Sequence, residues 1–257
     1  MGNDDDLRFA HELADAADEI TLSRFRSLDL RVEQKPDLTP VSDADRAAEV
    51  AVRELVARRG ASEDVVGEEL GGAGDGGGAR WIVDPIDGTR NYVRGVPVWA
   101  TLLALERDGV AEVAVVSAPA LGRRWSAVRG GGATAGGARL RVSGVSRLED
   151  AVTSTTSAAA MPPGWAAVTV RAWADRGFGD FWQYCLLAEG GVDVATDAVL
   201  ELWDYAAVRL LVEEAGGRCS TFAGAAPTAR ESFLATNGLL HDDVVALLGA
   251  DNRGQTP

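Results

Sequence analysis

An apolar run that ends in paired acids constrains this chain more than any other feature. The stretch WIVDPIDGTRN spans residues 81 to 91. Trp81, Ile82 and Val83 read as a strand made for burial, yet the run delivers Asp84 and then, across Pro85, Asp87. Two readings compete on these residues alone. Asp-Gly is a common hairpin turn signal, which would make the acids punctuation. Alternatively, the two carboxylates share a metal ion.

Other acids in similar settings decide between them. Glu68 and Glu69 end the short apolar run VVG, Asp204 opens a stretch with apolar residues at Ala207, Leu210, Leu211 and Ala215, and Asp37, Asp43 and Asp45 precede a helix. Each has a bland account: Asp204, Asp43 or Asp45 as a helix cap, Glu68 and Glu69 as a solvated edge. Together they repeat one device, an acid at a strand end or helix start beside a buried run, where α/β proteins place ligands. Unpaired carboxylates so close to a core are costly and call for cations. All the donors are hard oxygens with no nearby His or Cys, which selects Mg²⁺ or Mn²⁺ over Zn²⁺. Gly88 and Thr89 open what reads as a helical turn and offer backbone N–H groups to an anion. Acids for two metals beside an anion-holding turn point to phosphoryl chemistry.

The bulk composition is that of an ordinary globular protein, 257 residues with 46% hydrophobic and 25% charged side chains. Its formal charge of −14 excludes nucleic acid polymers and anionic membrane surfaces as natural partners. A phosphorylated substrate would be repelled too, unless bound cations reversed the sign locally. Cys185 and Cys219 have no ligand spacing and read as reduced core residues. MGNDDDLRFA lacks the basic and apolar regions of a secretory signal, and Asp6 replaces the Ser or Thr that a myristoylated Gly2 would need. No apolar run approaches the ~18 residues of a membrane span. A cytoplasmic location is expected.

Helical spacing of Leu7, Ala10, Leu13, Ala14, Ala17, Ile20 and Phe25 predicts a long helix over residues 5–27, followed by a strand-like LDLRVEQ and a second helix at 43–59. Strands are predicted at 80–84, 98–106, 110–118 and 151–156, and helices near 180–189, at 204–215 and from His241. GGAGDGGGA and GGGATAGGA read as solvated loops; the first lacks a Walker pattern, and the second is a candidate boundary between a region at 1–138 and one at 139–257. The alternation of strands and helices in the second half suggests an α/β layer.

Four ordered segments resemble one known family. WIVDPIDGTRN is similar to the first signature of the inositol-monophosphatase-like phosphatases and WDYAAVRLLVEEAGG to the second, with GEE and KPDLTPVSDAD in the expected upstream places. Within that family, KPDLTPVSDADRAAE, RNYVRGVPVWATLLAL, VSAPALGRRW and GFGDFWQYCLLAEGGVD look most like histidinol-phosphate phosphatases of the actinobacterial type. The resemblance implies an α+β fold, a layered αβαβα sandwich, with the N-terminal region carrying most metal ligands and the C-terminal region carrying Asp204 and the substrate contacts. It implies that Glu68, Asp84 and the carbonyl of Ile86 hold one Mg²⁺, that Asp84, Asp87 and Asp204 hold a second, and that Glu68 helps carry a weaker third. Mn²⁺ is the substitute. Gly88 and Thr89 would bind phosphate through N–H groups, and Asp45 would pair with the Thr89 hydroxyl to position or deprotonate the attacking water. The implied reaction is hydrolysis of histidinol phosphate to histidinol and phosphate, in a homodimer.

Two departures concern recognition. Asp197, seven residues before Asp204, stands where the family usually has a substrate-contacting Glu. The segment from TSTTSAAAMPPGW to RAWADRGFGD is shorter than the family norm. Both leave open another small ester: an inositol, aminocyclitol, sugar or nucleoside phosphate. Aspartyl-phosphate phosphatases use DxDxT, whereas here Pro85 stands two before Asp87, so direct water attack is the expected route. A non-enzymatic metal-binding module is the remaining alternative, and the Thr89–Asp45 pair speaks against it. Asp180, in a Gly-Asp pair, is the expected substrate contact and a partner for a cationic amine. Arg90 and Arg176 are candidate substrate or subunit contacts or solvated arginines, His241 a helix-start residue, and His11 a surface residue. Trp81, Trp99, Trp125 and Trp203 are expected to pack cores or flank the site.

Overall fold

The computed structural model describes residues 3–36, 38–60, 63–72 and 78–249. The chain begins α1 (Asn3–Arg24), β1 (Val32–Gln34), β2 (Pro40–Ser42), α2 (Asp43–Arg59), β3 (Asp64–Gly67), β4 (Ala79–Asp87), α3 (Thr89–Val93), β5 (Ala100–Arg107) and β6 (Val110–Ala118). It continues β7 (Arg123–Val128), β8 (Gly132–Ala135), β9 (Ala138–Arg139), β10 (Val152–Thr155), α4 (Gly164–Arg171), β11 (Ala174–Arg176) and α5 (Asp180–Ala188). It closes with β12 (Val194–Leu200), α6 (Leu202–Glu214), β13 (Arg218–Ser220), β14 (Glu231–Thr236) and α7 (His241–Gly249).

Two large sheets organise these elements. Seven strands run in the order β3-β4-β5-β6-β7-β8-β9, and five run β11-β10-β12-β14-β13. Side chains of a strand alternate between faces, so a strand covered on both sides is apolar throughout. β4 and β5 obey this. Trp81, Val83, Leu103 and Leu105 pack against Phe9, Leu13, Val52 and Val56 of α1 and α2. Ile82, Leu102 and Ala104 face the opposite way, onto Phe181, Tyr184, Val208 and Leu211 of α5 and α6. Those two helices also cover Phe233 and Ala235 of the second sheet. The far side of that sheet packs Val194 and Leu234 against Trp165, Val168, Val244 and Leu248 of α4 and α7. The layers therefore run αβαβα, as expected.

Several local expectations change. GGGATAGGA is not a bare loop: β8 pairs with β7 through Ala133 and Ala127, and the Glu214 carboxylate at the end of α6 accepts the N–H groups of Gly130 and Gly132 at 2.8 and 2.9 Å. Small residues suit a strand whose space is filled from outside by that helix. Asp108 and Gly109 form the predicted hairpin between β5 and β6. His11 is not a free surface residue, since its ring lies 3.3 Å from Ser126 Oγ and 3.5 Å from Arg124. His241 opens α7 and is fully buried, its ring nitrogens 2.9 Å from Ser220 and 3.0 Å from Thr236 hydroxyls. Trp81, Trp99 and Trp125 are core residues. Residues 73–77 of the first glycine tract, and Asp37, lie outside the described residues. Among the described residues no helix is long and apolar enough to cross a membrane.

Candidate active site

An extra residue in β4 explains how Asp84 and Asp87 come to serve one site. Residues three apart on a regular strand point to opposite faces. Here Asp84 pairs with Leu102 and Asp87 with Ala100, so three steps on β4 match two on β5. Such a bulge turns the strand and brings both carboxylates to the same side. Pro85 has no N–H to lose there, and its carbonyl accepts the Thr101 hydroxyl at 2.8 Å. The Asp-Gly pair is thus no hairpin turn. Gly88 takes φ 83° to start α3, and a Cβ at this position would stand 3.1 Å from the Val98 carbonyl.

Asp204 reaches the same point from the second region. Carboxylate oxygens of Asp84, Asp87 and Asp204 lie within 4.8 Å of one another. Burial, then the negative charges of Glu68, Asp87 and Asp204, push the Asp84 carboxyl well above its ordinary range. Burial, then Asp180 and Asp204, does the same to Asp87, and burial lifts Asp204 to about 7. Glu68 lies near enough for its charge to raise Asp84, but it is outside the close trio. The donor set fits hard divalent cations: oxygen ligands only, gathered where their mutual repulsion has no protein cation to balance it among the three.

Backbone hydrogen bonds hold each acid. Asp87 Oδ2 accepts the Phe181 N–H at 2.5 Å, at the start of α5. Asp84 Oδ1 accepts the Ile86 N–H at 3.0 Å, and the Ile86 carbonyl accepts the Thr89 hydroxyl at 2.9 Å. Asp204 is not the N-cap of α6; Glu201 is, and Asp204 Oδ2 accepts its N–H at 2.8 Å in a capping box. Asp45 repeats the device in α2. Ser42 is the cap there, rather than Asp43 or Asp45, and Asp45 Oδ2 accepts the Ser42 N–H at 2.8 Å. Its other oxygen lies 3.4 Å from the Thr89 hydroxyl. Burial raises Asp45 to about 6, against hydrogen bonds from Ser42 that favour its charge.

The site opens into two adjoining cavities of ≈ 320 and ≈ 420 Å³ that share Thr156, Asp180 and Asp204. The larger is lined by Lys35, Glu68, Gly88, Thr89, Arg90 and Trp203, so Trp203 flanks the site. The smaller has no basic residue in its lining; Asp180 and Asp197 face it with Phe181 and Tyr184. Asp180 takes φ 47° behind Gly179, and its Oδ2 accepts the Asn91 amide at 3.1 Å. Burial, then the charge of Asp197, lifts Asp180 to about 6. Both Asp197 oxygens are already engaged: Oδ2 by Gln183 and the Tyr184 hydroxyl at 2.7 Å each, Oδ1 by the Thr156 N–H at 3.2 Å. Arg176 is exposed, and its guanidinium bonds the Asp175 carbonyl.

Three positions carry roles that the sequence reading did not assign to them. Lys35 donates to Glu68 at 2.7 Å and Glu69 at 2.6 Å. Against the cost of burial, those bonds hold its ammonium above the ordinary range. Glu49 is fully buried and accepts the Glu69 and Leu70 N–H groups at 2.8 and 3.2 Å, which fixes the chain carrying Glu68. The available signal was an acid beside the inward stripe of Ala48, Val52 and Val56. Thr156 joins Asp197 to Asp180, whose N–H donates to the Thr156 hydroxyl at 2.9 Å. No short motif contains that link.

Residues 3–250 match the inositol monophosphatase family. The histidinol-phosphatase of Mycobacterium tuberculosis is 52% identical over 96% of this chain and 98% of its own. That of Streptomyces coelicolor is 48% identical over 95% and 97%. Among solved structures, an IMPase from Thermotoga maritima superposes with a TM-score of 0.89 at 31% identity, covering 97% of this chain and 98% of that one. Fold and relatives together define a metal-dependent phosphoric monoester hydrolase acting on small metabolites. The chain belongs to the inositol monophosphatase family.

Proposed function

We propose that this phosphatase hydrolyses histidinol phosphate by direct attack of water, with two or three Mg²⁺ ions held by Asp84, Asp87, Asp204, Glu68 and the Ile86 carbonyl, and Mn²⁺ as substitute. The observation that carries the substrate is 52% identity to a histidinol-phosphatase along 98% of that relative's length. The smaller cavity is chemically apt, since its carboxylates and aromatic rings suit a leaving group that is cationic and partly apolar.

Bound cations supply charge neutralisation for the phosphate and make hydroxide available near neutral pH. The protein's own groups do the rest. N–H groups of Gly88 and Thr89 hold phosphate oxygens at the head of α3. Asp45, ionised above about pH 6, stands 3.4 Å from the Thr89 hydroxyl; when that proton turns from the Ile86 carbonyl to this carboxylate, the hydroxyl oxygen orients the attacking water and takes part in its deprotonation. One Asp45 oxygen is tied to Ser42, so the free one keeps its aim. Asp180 offers its other oxygen to the substrate amine. Asp197, with both oxygens committed, sets the positions of Tyr184 and Thr156 at the cavity wall. Residues 1–138 supply most ligands, 139–257 supply Asp204 and the substrate wall, and the enzyme works as a cytoplasmic homodimer.

A second reading, a more anionic small ester such as a sugar phosphate, is favoured by Arg90 and Arg230 at the mouth of the larger cavity. Phosphate release from histidinol phosphate, inositol 1-phosphate and glucose 1-phosphate under Mg²⁺ separates the two. Histidinol phosphate is expected to lead in kcat/KM by about tenfold or more, a difference of roughly 1.4 kcal/mol. A higher kcat/KM for either other ester overturns the assignment of substrate.

A further inference from the structure

A third cavity, of ≈ 500 Å³, lies on the other side of α6 and includes none of the carboxylate trio in its lining. Small-molecule sites commonly occupy roughly 300–1,000 Å³. Its wall carries Arg80, Arg129 and Arg209 with Glu106 and Glu213, and Glu112 stands 3.9 Å from Arg129, so three guanidiniums balance three carboxylates locally in a chain of net charge −14. The acids are committed at short range: Glu106 to Arg80 at 2.6 Å and Glu213 to Arg209 at 2.7 Å. The donors are not used up. Arg129 gives its Nε–H to the Ala111 carbonyl at 2.7 Å, and its contacts with Glu112 and Glu213 are 3.9 Å, beyond hydrogen-bond reach. Arg209 spends Nε on Glu213, which leaves both Nη groups. Tyr205 lines the same space.

The geometry points to a second ligand site here for a small oxyanion, a carboxylate or a phosphate, gripped by the Nη groups of Arg129 and Arg209 with Tyr205 as an added donor. Guanidinium forks match the planar spacing of carboxylate and phosphate oxygens, and such charge-assisted bonds are the stronger kind. α6 is a wall common to both places. Leu202 and Tyr205 line this cavity, whereas Trp203 and Asp204 line the catalytic one.

Isothermal titration calorimetry of the full chain with succinate, citrate and inorganic phosphate in Mg²⁺-free buffer, and with succinate and phosphate in Mg²⁺ buffer, tests the site. At least one of the three is expected to bind without Mg²⁺, and R129Q and R209Q each to weaken that binding by about tenfold. Uptake of succinate or citrate identifies an organic acid as the ligand; uptake of phosphate through the arginines identifies the inorganic ion. Arg129 is half-exposed on a turn, so R129Q keeps the fold, which thermal unfolding verifies. Absence of heat from all three anions at about 20 mM overturns the proposal. So does binding that both arginine variants retain, or phosphate binding that appears only when Mg²⁺ is added, which would place the anion at the catalytic site instead.

Discussion

Replacing Asp204 by Asn separates the cost of gathering the carboxylates from the benefit of the cations that they hold. Burial raises Asp204 from an ordinary 3.8 to about 7. Between those values the folded chain keeps a proton that the unfolded chain has released, so stability falls as pH rises through the window, and the full penalty applies above about 7. The spread corresponds to about 4 kcal/mol; the side chain is partly open to solvent, which brings the working figure to about 2 kcal/mol. Asn keeps an acceptor for the Glu201 N–H, so the cap survives and charge is what changes. In EDTA at pH 8, D204N should therefore be more stable than the parent by about 2 kcal/mol, a rise of about 4–8 °C in Tm for a chain of this size. At pH 5 the gain should be smaller. Saturating Mg²⁺ should reverse the order, because a cation at a hundred times its Kd stabilises the parent by about 2.7 kcal/mol and binds the variant less. Urea unfolding at the two pH values, with EDTA or Mg²⁺, reads all four conditions. A variant less stable than the parent in EDTA at pH 8, or one that gains equally with Mg²⁺ present, would refute the reasoning.

Two further outcomes follow from residues around the trio. If Asp45 must be charged to accept the Thr89 proton, kcat/KM should fall tenfold per pH unit below its pKa of about 6, and D45N should flatten that limb while lowering kcat by about 10²–10⁴; an unchanged acid limb in D45N would remove Asp45 from the proton path. Gly67→Ala would put a Cβ within 2.1–2.6 Å of the buried Glu49 carboxylate, so the variant should lose about 3–5 kcal/mol of stability and bind Mg²⁺ more weakly through displaced Glu68, as urea unfolding and calorimetry will measure.

Asp84, Asp87 and Asp204 could be read from sequence because each interrupts an apolar run, and burial of a run is a local property. Their convergence was not local. It depends on one inserted residue in β4 that reverses the side of Asp87, and no periodicity marks a bulge at Pro85 in advance. Asp204 was legible as a helix-start acid but not as the third residue behind Glu201, because Glu is a weak signal for a cap. β8 was hidden by glycines and alanines that carry no strand preference; its partner across the sheet and Glu214 from α6 decide its conformation. Glu49 acts twenty residues away, on the N–H of Glu69, and Asp197 meets Tyr184 and Thr156 across different elements. Motifs report what stands next in the chain. These contacts are made across it.

The capping boxes of Asp45 and Asp204 bear on how such a gene would decay. Each of these acids serves a helix start as well as the chemistry, and losing a cap typically costs about 1 kcal/mol. Once selection for turnover lapses, folding alone would still require a hydrogen-bond acceptor at both positions, which Asn supplies as well as Asp, while the Thr89 hydroxyl could drift. In a duplicated copy, a surviving capping residue at either position would therefore say little about whether the protein still works. The identity of residue 89 would say far more.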